Sequence, residues 1–301
     1  MFSLSTSWNA SRHNDGFSLV EEIKRMGFNT IELGFSLTQK IVDDIIKMKD
    51  SGDISVSSLH NMCPLPADIA PKDASPDYYS LSSLKPEDRA RAVSIARNTI
   101  DYAKRLDARA VVVHAGRVEM RDKTRKLAQV FDDSEKASLI KSEMLKERAA
   151  KSAAHLARLI ESLEELIPYS IRTGIPIALE TRYYHREMPL IQEFEELFKR
   201  FKPGTLFYWH DTGHAETFER LGLARHRDFL DKFANRLIGI HLHDIIGYID
   251  DHNAPGSGTF DFNTLKPYVK SDTIKVIEAH EPATAEDIRK GAEYLERLFG
   301  I

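Results

Sequence analysis

Cysteine is almost missing from this 301-residue sequence, and its single thiol, at Cys63, cannot form an internal disulfide. The cysteine usage therefore gives no sign of an oxidising compartment. The sequence also lacks an uninterrupted apolar run of the length that a membrane-spanning helix needs. Its opening residues have neither the basic start nor the apolar centre of a signal peptide. We therefore expect a cytoplasmic protein without a membrane partner.

A strong excess of charge is missing as well. The formal net charge is −4 at pH 7, which gives no general electrostatic footprint for nucleic acid, although a local basic patch stays compatible with this total. This balance favours a small-molecule partner and leaves DNA as the less supported one. The sequence does contain 42% hydrophobic residues, which is enough for the core of a sizeable globular protein.

Apolar runs of strand length alternate with amphipathic stretches of helical spacing along the whole chain. The predicted strands are 2–5, 30–34, 54–59, 110–113, 175–179, 206–209, 237–242 and 274–277. The predicted helices are 17–26, 41–48, 86–106, 135–173 with a break near Pro168, 190–201, 216–233, 262–269 and 285–298. The charged stretch 117–133 is interpreted as a solvated excursion between two elements.

Eight strands that alternate with eight helices favour a closed barrel, because parallel strands buried on both faces need helices around them. A doubly wound open sheet is the rival architecture. No Gly-x-Gly-x-x-Gly motif follows the first predicted strand, so the dinucleotide-binding form of that rival lacks its phosphate loop. We therefore predict an α/β protein with a single (β/α)8 TIM-barrel domain over residues 1–301.

Side chains that bind metals follow the predicted strands where the apolar runs stop. Six strand ends carry one each, namely His60, His114, Glu180, Asp211, His241 and Glu278. His214 comes one turn after Asp211, and Asp250 and His252 lie in the loop after strand 237–242. Because the carboxyl ends of barrel strands form the mouth that holds the active site, we expect these side chains to converge there.

Carboxylates and imidazoles packed together repel or shift each other's proton equilibria unless a cation neutralises them, so their convergence predicts a bound metal. Neutral histidine and ionised aspartate or glutamate suit a divalent cation, with zinc favoured and Mn, Co or Mg left open. The stretch just after Glu180 contributes Arg182, Tyr183 and His185 as candidate substrate contacts. His243 joins them, because period two places it on the same side of its strand as His241.

This arrangement resembles the xylose isomerase-like TIM barrel superfamily, which includes sugar isomerases and epimerases and the endonuclease IV type of apurinic-site nuclease. The resemblance to the isomerases and epimerases implies one metal with four ligands. Those ligands correspond here to Glu180, Asp211, His241 and Glu278. It also implies that Glu180 and Glu278 act as the catalytic acid and base that move a proton beside a carbonyl.

The resemblance to the endonuclease IV type implies up to three zinc ions. The first would have His60, His114 and Glu180 as ligands, and Glu180 would also bridge to the second, held by Asp211, His241 and Glu278. The third would be held by His214, Asp250 and His252, because the run 250–252 followed by Gly256-Ser257-Gly258 resembles that family's Asp-x-His loop and Gly-x-Gly end. Two stretches, 5–9 and 61–64, do not resemble its DNA-penetrating loops, and the excursion after His114 is longer.

Three functions follow from these observations. The nine candidate ligands favour a multinuclear metallohydrolase that cleaves a phosphate ester or phosphodiester. The alternative is a one-metal isomerase or epimerase of a small sugar or sugar phosphate, in which the remaining candidate ligands would contact substrate hydroxyls. A barrel that binds metal without catalysis is the third hypothesis.

Overall fold

The computed structural model describes residues 1–300, and in these residues eight parallel strands form a closed barrel. Each strand pairs with the next one along the chain, and the last pairs with the first. The strands are β1 (Ser3–Ser5), β2 (Thr30–Leu33), β3 (Ser55–His60), β4 (Ala110–Val113), β5 (Ile177–Glu180), β6 (Phe207–Asp211), β7 (Leu237–Leu242) and β8 (Ile274–Ile277). The predicted (β/α)8 TIM barrel is confirmed.

The α-helices of the described residues surround this barrel. They are α1 (Gly16–Lys24), α2 (Gln39–Asp50), α3 (Pro86–Arg105), α4 (Thr124–Gln129), α5 (Ser134–Thr173), α6 (Ile191–Arg200), α7 (Thr212–Arg220), α8 (His226–Phe233) and α9 (Ala285–Phe299). Within residues 1–300 no helix is both long enough and apolar enough to span a membrane. The helix predicted at 262–269 is wrong, since only a short 3-10 turn forms at Phe262–Leu265.

Two helical predictions differ from the structure, one at a glycine and one at a proline. The helix predicted at 216–233 is two helices, because Gly222 takes a left-handed conformation (φ 61°) just after α7 and turns the chain. The break predicted near Pro168 is absent, and α5 continues for 40 residues. Proline removes one helical hydrogen bond, but the buried Leu163 and Leu166 keep this part of α5 packed on the core, and the helix ends only at Gly174.

The stretch 117–133 is not solvated throughout, which corrects the interpretation from its charges. Val118 and Leu127 are fully buried, and Leu127 lies on α4, in the same cluster as Met144 of α5. Arg117 also forms an antiparallel bridge with Glu187 in the loop after β5. The apolar positions in this stretch are too widely spaced to stand out from the charged residues around them.

The interior of the barrel is filled below the strand ends by apolar side chains, of which Trp209 is the largest. Trp209 fits because its neighbour on the adjacent strand β7 is Gly239, where a Cβ atom would overlap the indole ring. The ring packs edge-on against the imidazole of His241, with centroids 5.1 Å apart. Trp209 therefore forms an apolar floor beneath the polar side chains of the mouth.

Candidate metal centre

Four buried side chains from neighbouring strands meet at the centre of the barrel mouth. The Nδ1 atom of His241 lies 2.7 Å from Glu180 Oε1, 2.9 Å from Glu278 Oε2 and 3.6 Å from Asp211 Oδ2. One potential ligand atom from each residue lies within 4.8 Å of the other three. This central cluster is the four-ligand set expected from the sequence.

The charges of the central cluster suit a divalent cation. Burial alone would raise the pKa of Glu180, but hydrogen bonds with His114, His241 and His60 outweigh it and hold this pKa well below its ordinary value. Burial is outweighed in the same way at Asp211, whose pKa is lowered by His214 and His243. Asp211 Oδ2 is buried and has no hydrogen-bond partner among the described residues. An ionised, unpartnered oxygen beside other carboxylates is what a cation would satisfy.

Glu32, on β2, is a site residue that the sequence reasoning missed. Its carboxylate accepts a hydrogen bond from His241 Nε2 at 3.0 Å and another from Ser58 Oγ at 2.8 Å. With its Nε2 atom held there, His241 presents Nδ1 to the central cluster. The sequence carried a signal for it, because a glutamate between Ile31 and Leu33 in a predicted barrel strand needs a polar partner.

Beside the central cluster, His60 and His114 lie next to Glu180. We call these three residues the first cluster, after the first metal expected from the sequence. The Nε2 atoms of these histidines lie 3.8 Å and 2.8 Å from Glu180 Oε2. Their Nδ1 atoms face outward, toward the carbonyl of Asn61 at 2.7 Å and the carboxylate of Asp77 at 3.2 Å. Both rings therefore present Nε2 to Glu180, as ligands of a shared cation would.

Arg182 lies against the same oxygen of Glu180. Its Nη1 atom donates to Glu180 Oε2 at 2.8 Å, and its Nη2 atom donates to Glu187 at 3.3 Å. Burial would lower the pKa of Arg182, but these carboxylates raise it, so the guanidinium stays charged. A cation in the first cluster would therefore meet a fixed positive charge close to its carboxylate ligand.

The third cluster lies on the other side of Asp211 and contains His214, His243, Asp250 and His252. His214 Nε2 lies 3.5 Å, and His252 Nδ1 lies 2.6 Å, from Asp250 Oδ2. His243 faces two carboxylates, with Nε2 2.8 Å from Asp211 Oδ1 and Nδ1 3.2 Å from Asp250 Oδ1. All nine predicted ligands thus lie in three adjoining clusters, and His243 lies among them.

The other predicted substrate contacts lie in different surroundings. Tyr183 stacks on the ring of His214, with centroids 4.8 Å apart, and so borders the third cluster. His185 is buried near Phe218 of α7, outside the three clusters. Burial and the nearby Arg148 lower the pKa of His185 to about 4, so its ring is neutral near pH 7.

The local fold positions the third cluster through the start of α7. Asp211 caps this helix, because its Oδ1 atom accepts from the backbone N–H of His214 at 2.8 Å. The ring of His214 is then oriented by its Nδ1 atom, 2.8 Å from the carbonyl oxygen of Thr181. Asp211, the last residue of β6, therefore caps the next helix and also faces both the central and the third cluster.

A family model described as the xylose isomerase-like TIM barrel matches residues 20–298. The chain belongs to this family. A curated relative, the uncharacterized protein y4fM of Sinorhizobium fredii, is 24% identical over 71% of this xylose isomerase-like chain. The match spans 60% of the length of that relative.

Solved structures of the same fold align with nearly all of the chain. A D-tagatose 3-epimerase-like protein has a TM-score of 0.72 at 20% identity, covering 99% of this chain and 97% of that protein. The IolI protein with a bound zinc atom has a TM-score of 0.68 at 13% identity, covering 99% and 98%. These similarities show the fold of this family member.

Proposed function

We propose that this protein is a divalent-metal-dependent isomerase or epimerase of a small sugar or sugar phosphate. The observation that carries the proposal is the central cluster, in which Glu180, Asp211 and Glu278 converge on His241 Nδ1. The proposal is supported by the fold shared with a D-tagatose 3-epimerase-like protein, and the metal by the fold shared with zinc-bound IolI.

The four residues of the central cluster would hold the cation. A divalent cation held there would supply Lewis-acid chemistry, which makes the proton on the carbon beside a substrate carbonyl easier to remove. Glu180 and Glu278 supply the two carboxylates that take this proton and return it, on the same or a neighbouring carbon. Trp209 closes the floor of the barrel beneath His241 and keeps bulk water out from below.

The surroundings of the central cluster also offer groups for the rest of a sugar. Arg182 is the charged group at Glu180 that could hold a phosphate or carboxylate of the substrate, through paired hydrogen bonds. Tyr183, beside His214, offers an aromatic face to a sugar ring. His60 and His114 would then contact substrate hydroxyls beside Glu180.

Exchange of solvent deuterium into ketoses tests the proposal. Protein loaded with Zn²⁺, Mn²⁺ or Co²⁺ should catalyse the incorporation of deuterium into the ketose, at the carbon next to the carbonyl. NMR detects this exchange directly. E180Q and E278Q should each lose at least about 100-fold of this rate, the usual contribution of a general acid or base. Glu293→Gln, at an exposed glutamate of α9, is the matched control and should retain the rate. Unchanged exchange in both site variants would disprove their roles.

A three-metal hydrolase is the second candidate, and one observation favours it. The first cluster contains Glu180 of the central cluster, and Asp211 of the central cluster offers an oxygen within 4.8 Å of ligand atoms of His214, His243 and His252, as bridging ligands would. This candidate expects about three equivalents of metal per chain and metal-dependent cleavage of an abasic-site duplex or a simple phosphodiester. Absence of cleavage by protein that carries three equivalents would contradict it.

A further inference from the structure

We propose that the third cluster is a closed cation site in which His243 is the fourth protein ligand beside His214, Asp250 and His252. Its cation would fix the loop between β7 and β8 instead of acting on substrate. The site would take a zinc-like divalent ion, because three imidazole nitrogens and one carboxylate form a borderline-soft ligand set. The inference goes beyond the proposed function and does not depend on it.

The first step concerns a buried ring nitrogen that has no hydrogen-bond partner. His243 Nε2 makes its hydrogen bond with Asp211 Oδ1, which leaves Nδ1 as the ring nitrogen open to a cation. This Nδ1 atom is buried and has no hydrogen-bond partner among the described residues, although it lies 3.2 Å from Asp250 Oδ1. A buried ring nitrogen left without a partner beside a carboxylate is costly unless a cation lies between them.

The second step concerns the number of ligands. His214 presents Nε2 to Asp250, because its Nδ1 atom is held by the carbonyl of Thr181. His252 presents Nδ1 to the same carboxylate at 2.6 Å. Four protein ligands complete the tetrahedral coordination of zinc, as in structural sites, whereas catalytic zinc sites keep one position open. His243 therefore makes this site a structural one.

The third step concerns the loop itself. His252 has a left-handed backbone (φ 48°), which is uncommon outside glycine and persists where the surroundings determine it. Its ring lies between those of His243 and His280, at centroid distances of 4.2 Å and 3.9 Å and within 5° of parallel to each. A cation shared by His214, His243, Asp250 and His252 would join this loop to α7 and to the end of β7.

The test compares His243→Gln with His155→Gln, which replaces a buried histidine on α5 outside the clusters. Zinc affinity is measured by chelator competition and zinc content by metal analysis. H243Q should lose one equivalent of zinc, because zinc affinity at the third cluster should fall more than about 100-fold. Loss of a group that only orients a ligand reduces affinity by less than this. H155Q should keep every equivalent. Retention of all equivalents at wild-type affinity in H243Q would overturn the proposal.

Hydrogen exchange separates the structural role from a substrate contact. In the wild-type protein, zinc should slow amide exchange in residues 245–257, and H243Q should exchange there like the zinc-free protein. If H243Q does not fold, His252→Gln at the partly exposed end of the site is the second variant. Loop protection that does not change with zinc in the wild-type protein would overturn the structural role, whatever reaction the central cluster performs.

Discussion

At the level of single residues, the mouth of this barrel is organised by the partners of its imidazole rings. Four of the five predicted histidine ligands, His60, His114, His214 and His241, each direct one ring nitrogen to an acceptor outside the clusters. The other nitrogen of each ring then faces a carboxylate. Because such partners set both the tautomer and the ring direction, they influence metal affinity almost as strongly as the ligands do.

Glu32→Gln tests this dependence. The amide can still accept from His241 Nε2, but it lacks the negative charge that makes the ring a stronger ligand. We expect metal affinity at the central cluster to fall about 10- to 100-fold while the fold is retained. Chelator competition measures the loss, and Glu21→Gln at an exposed glutamate of α1 should change nothing. An E32Q affinity equal to that of the wild type would contradict the role of Glu32.

A row of hydrogen-bonded polar side chains lies outside the barrel, on the side of β6 that faces the helices. The hydroxyl of Tyr208 lies 2.6 Å from Thr181 Oγ1 and 2.7 Å from His210 Nδ1, and His210 Nε2 lies 2.9 Å from His226 Nε2. His210 alternates with Asp211 along β6 and so points away from the mouth, into these contacts.

Tyr208→Phe should lower the free energy of unfolding by about 1–3 kcal/mol, because it leaves His210 Nδ1 buried without a donor. Urea unfolding measures the change. Tyr78→Phe is the control, since Tyr78 is 48% exposed and its variant should unfold within about 0.5 kcal/mol of the wild type. An equal loss of unfolding free energy in the two variants would show that this row of hydrogen bonds adds no stability.

At the level of elements, the loop between β5 and α6 is held in place by α5. Arg148 of α5 pairs with Glu193 of α6 and also donates to the backbone carbonyls of His185 and Glu187. Arg148 and Glu193 are both buried. The same loop carries Arg182, so α5 indirectly positions the charged group that contacts Glu180.

Arg148→Met should therefore destabilise the protein by about 3–5 kcal/mol, because it leaves the Glu193 carboxylate buried and unpaired. Lys151→Met removes a half-exposed pair with Glu147 on the same helix and should cost less than about 1 kcal/mol. Chemical unfolding of both variants checks the difference. A small loss for R148M would mean that the loop is held by other contacts.

For the whole molecule, the balance of charge at the mouth links stability to metal and to pH. Burial lowers the pKa of His243, but Asp211 and Asp250 outweigh it and raise this pKa well above its ordinary value. The pKa of His241 is also raised well above its ordinary value, because Glu278 and Glu32 outweigh the effect of burial. In the metal-free protein, protons on these rings therefore neutralise the carboxylates.

This balance predicts opposite pH responses with and without metal. A raised folded-state pKa adds stability below the unfolded-state value of about 6.5, and this stability is lost as pH rises through the folded-state pKa. The metal-free protein should thus become less stable from pH 6.5 to 8.5. With zinc, stability should be maintained or rise, because ligation needs the deprotonated rings. Urea unfolding with chelator or with zinc checks both slopes, and rising stability of the metal-free protein would contradict the prediction.

Local patterns in the sequence determined the architecture and the candidate ligands. The alternation of buried strands with amphipathic helices depends on periodicities of two and 3.6 residues, which sequence spacing displays directly. The side chains at the strand ends could be recognised because TIM barrels bring those ends together. The continuous helix through Pro168 could not be predicted, since packing on the core outweighed the local preference.

Only the tertiary structure decided which atoms face each other. It placed Glu32 behind His241, Arg182 against Glu180, and His243 between Asp211 and Asp250. These residues are separated by up to 209 positions in the chain, and their orientation depends on ring rotation, loop packing and hydrogen bonding. Residue type and periodicity specify which side of a strand a group occupies, whereas the partner that sets its proton or its charge comes from elsewhere in the fold.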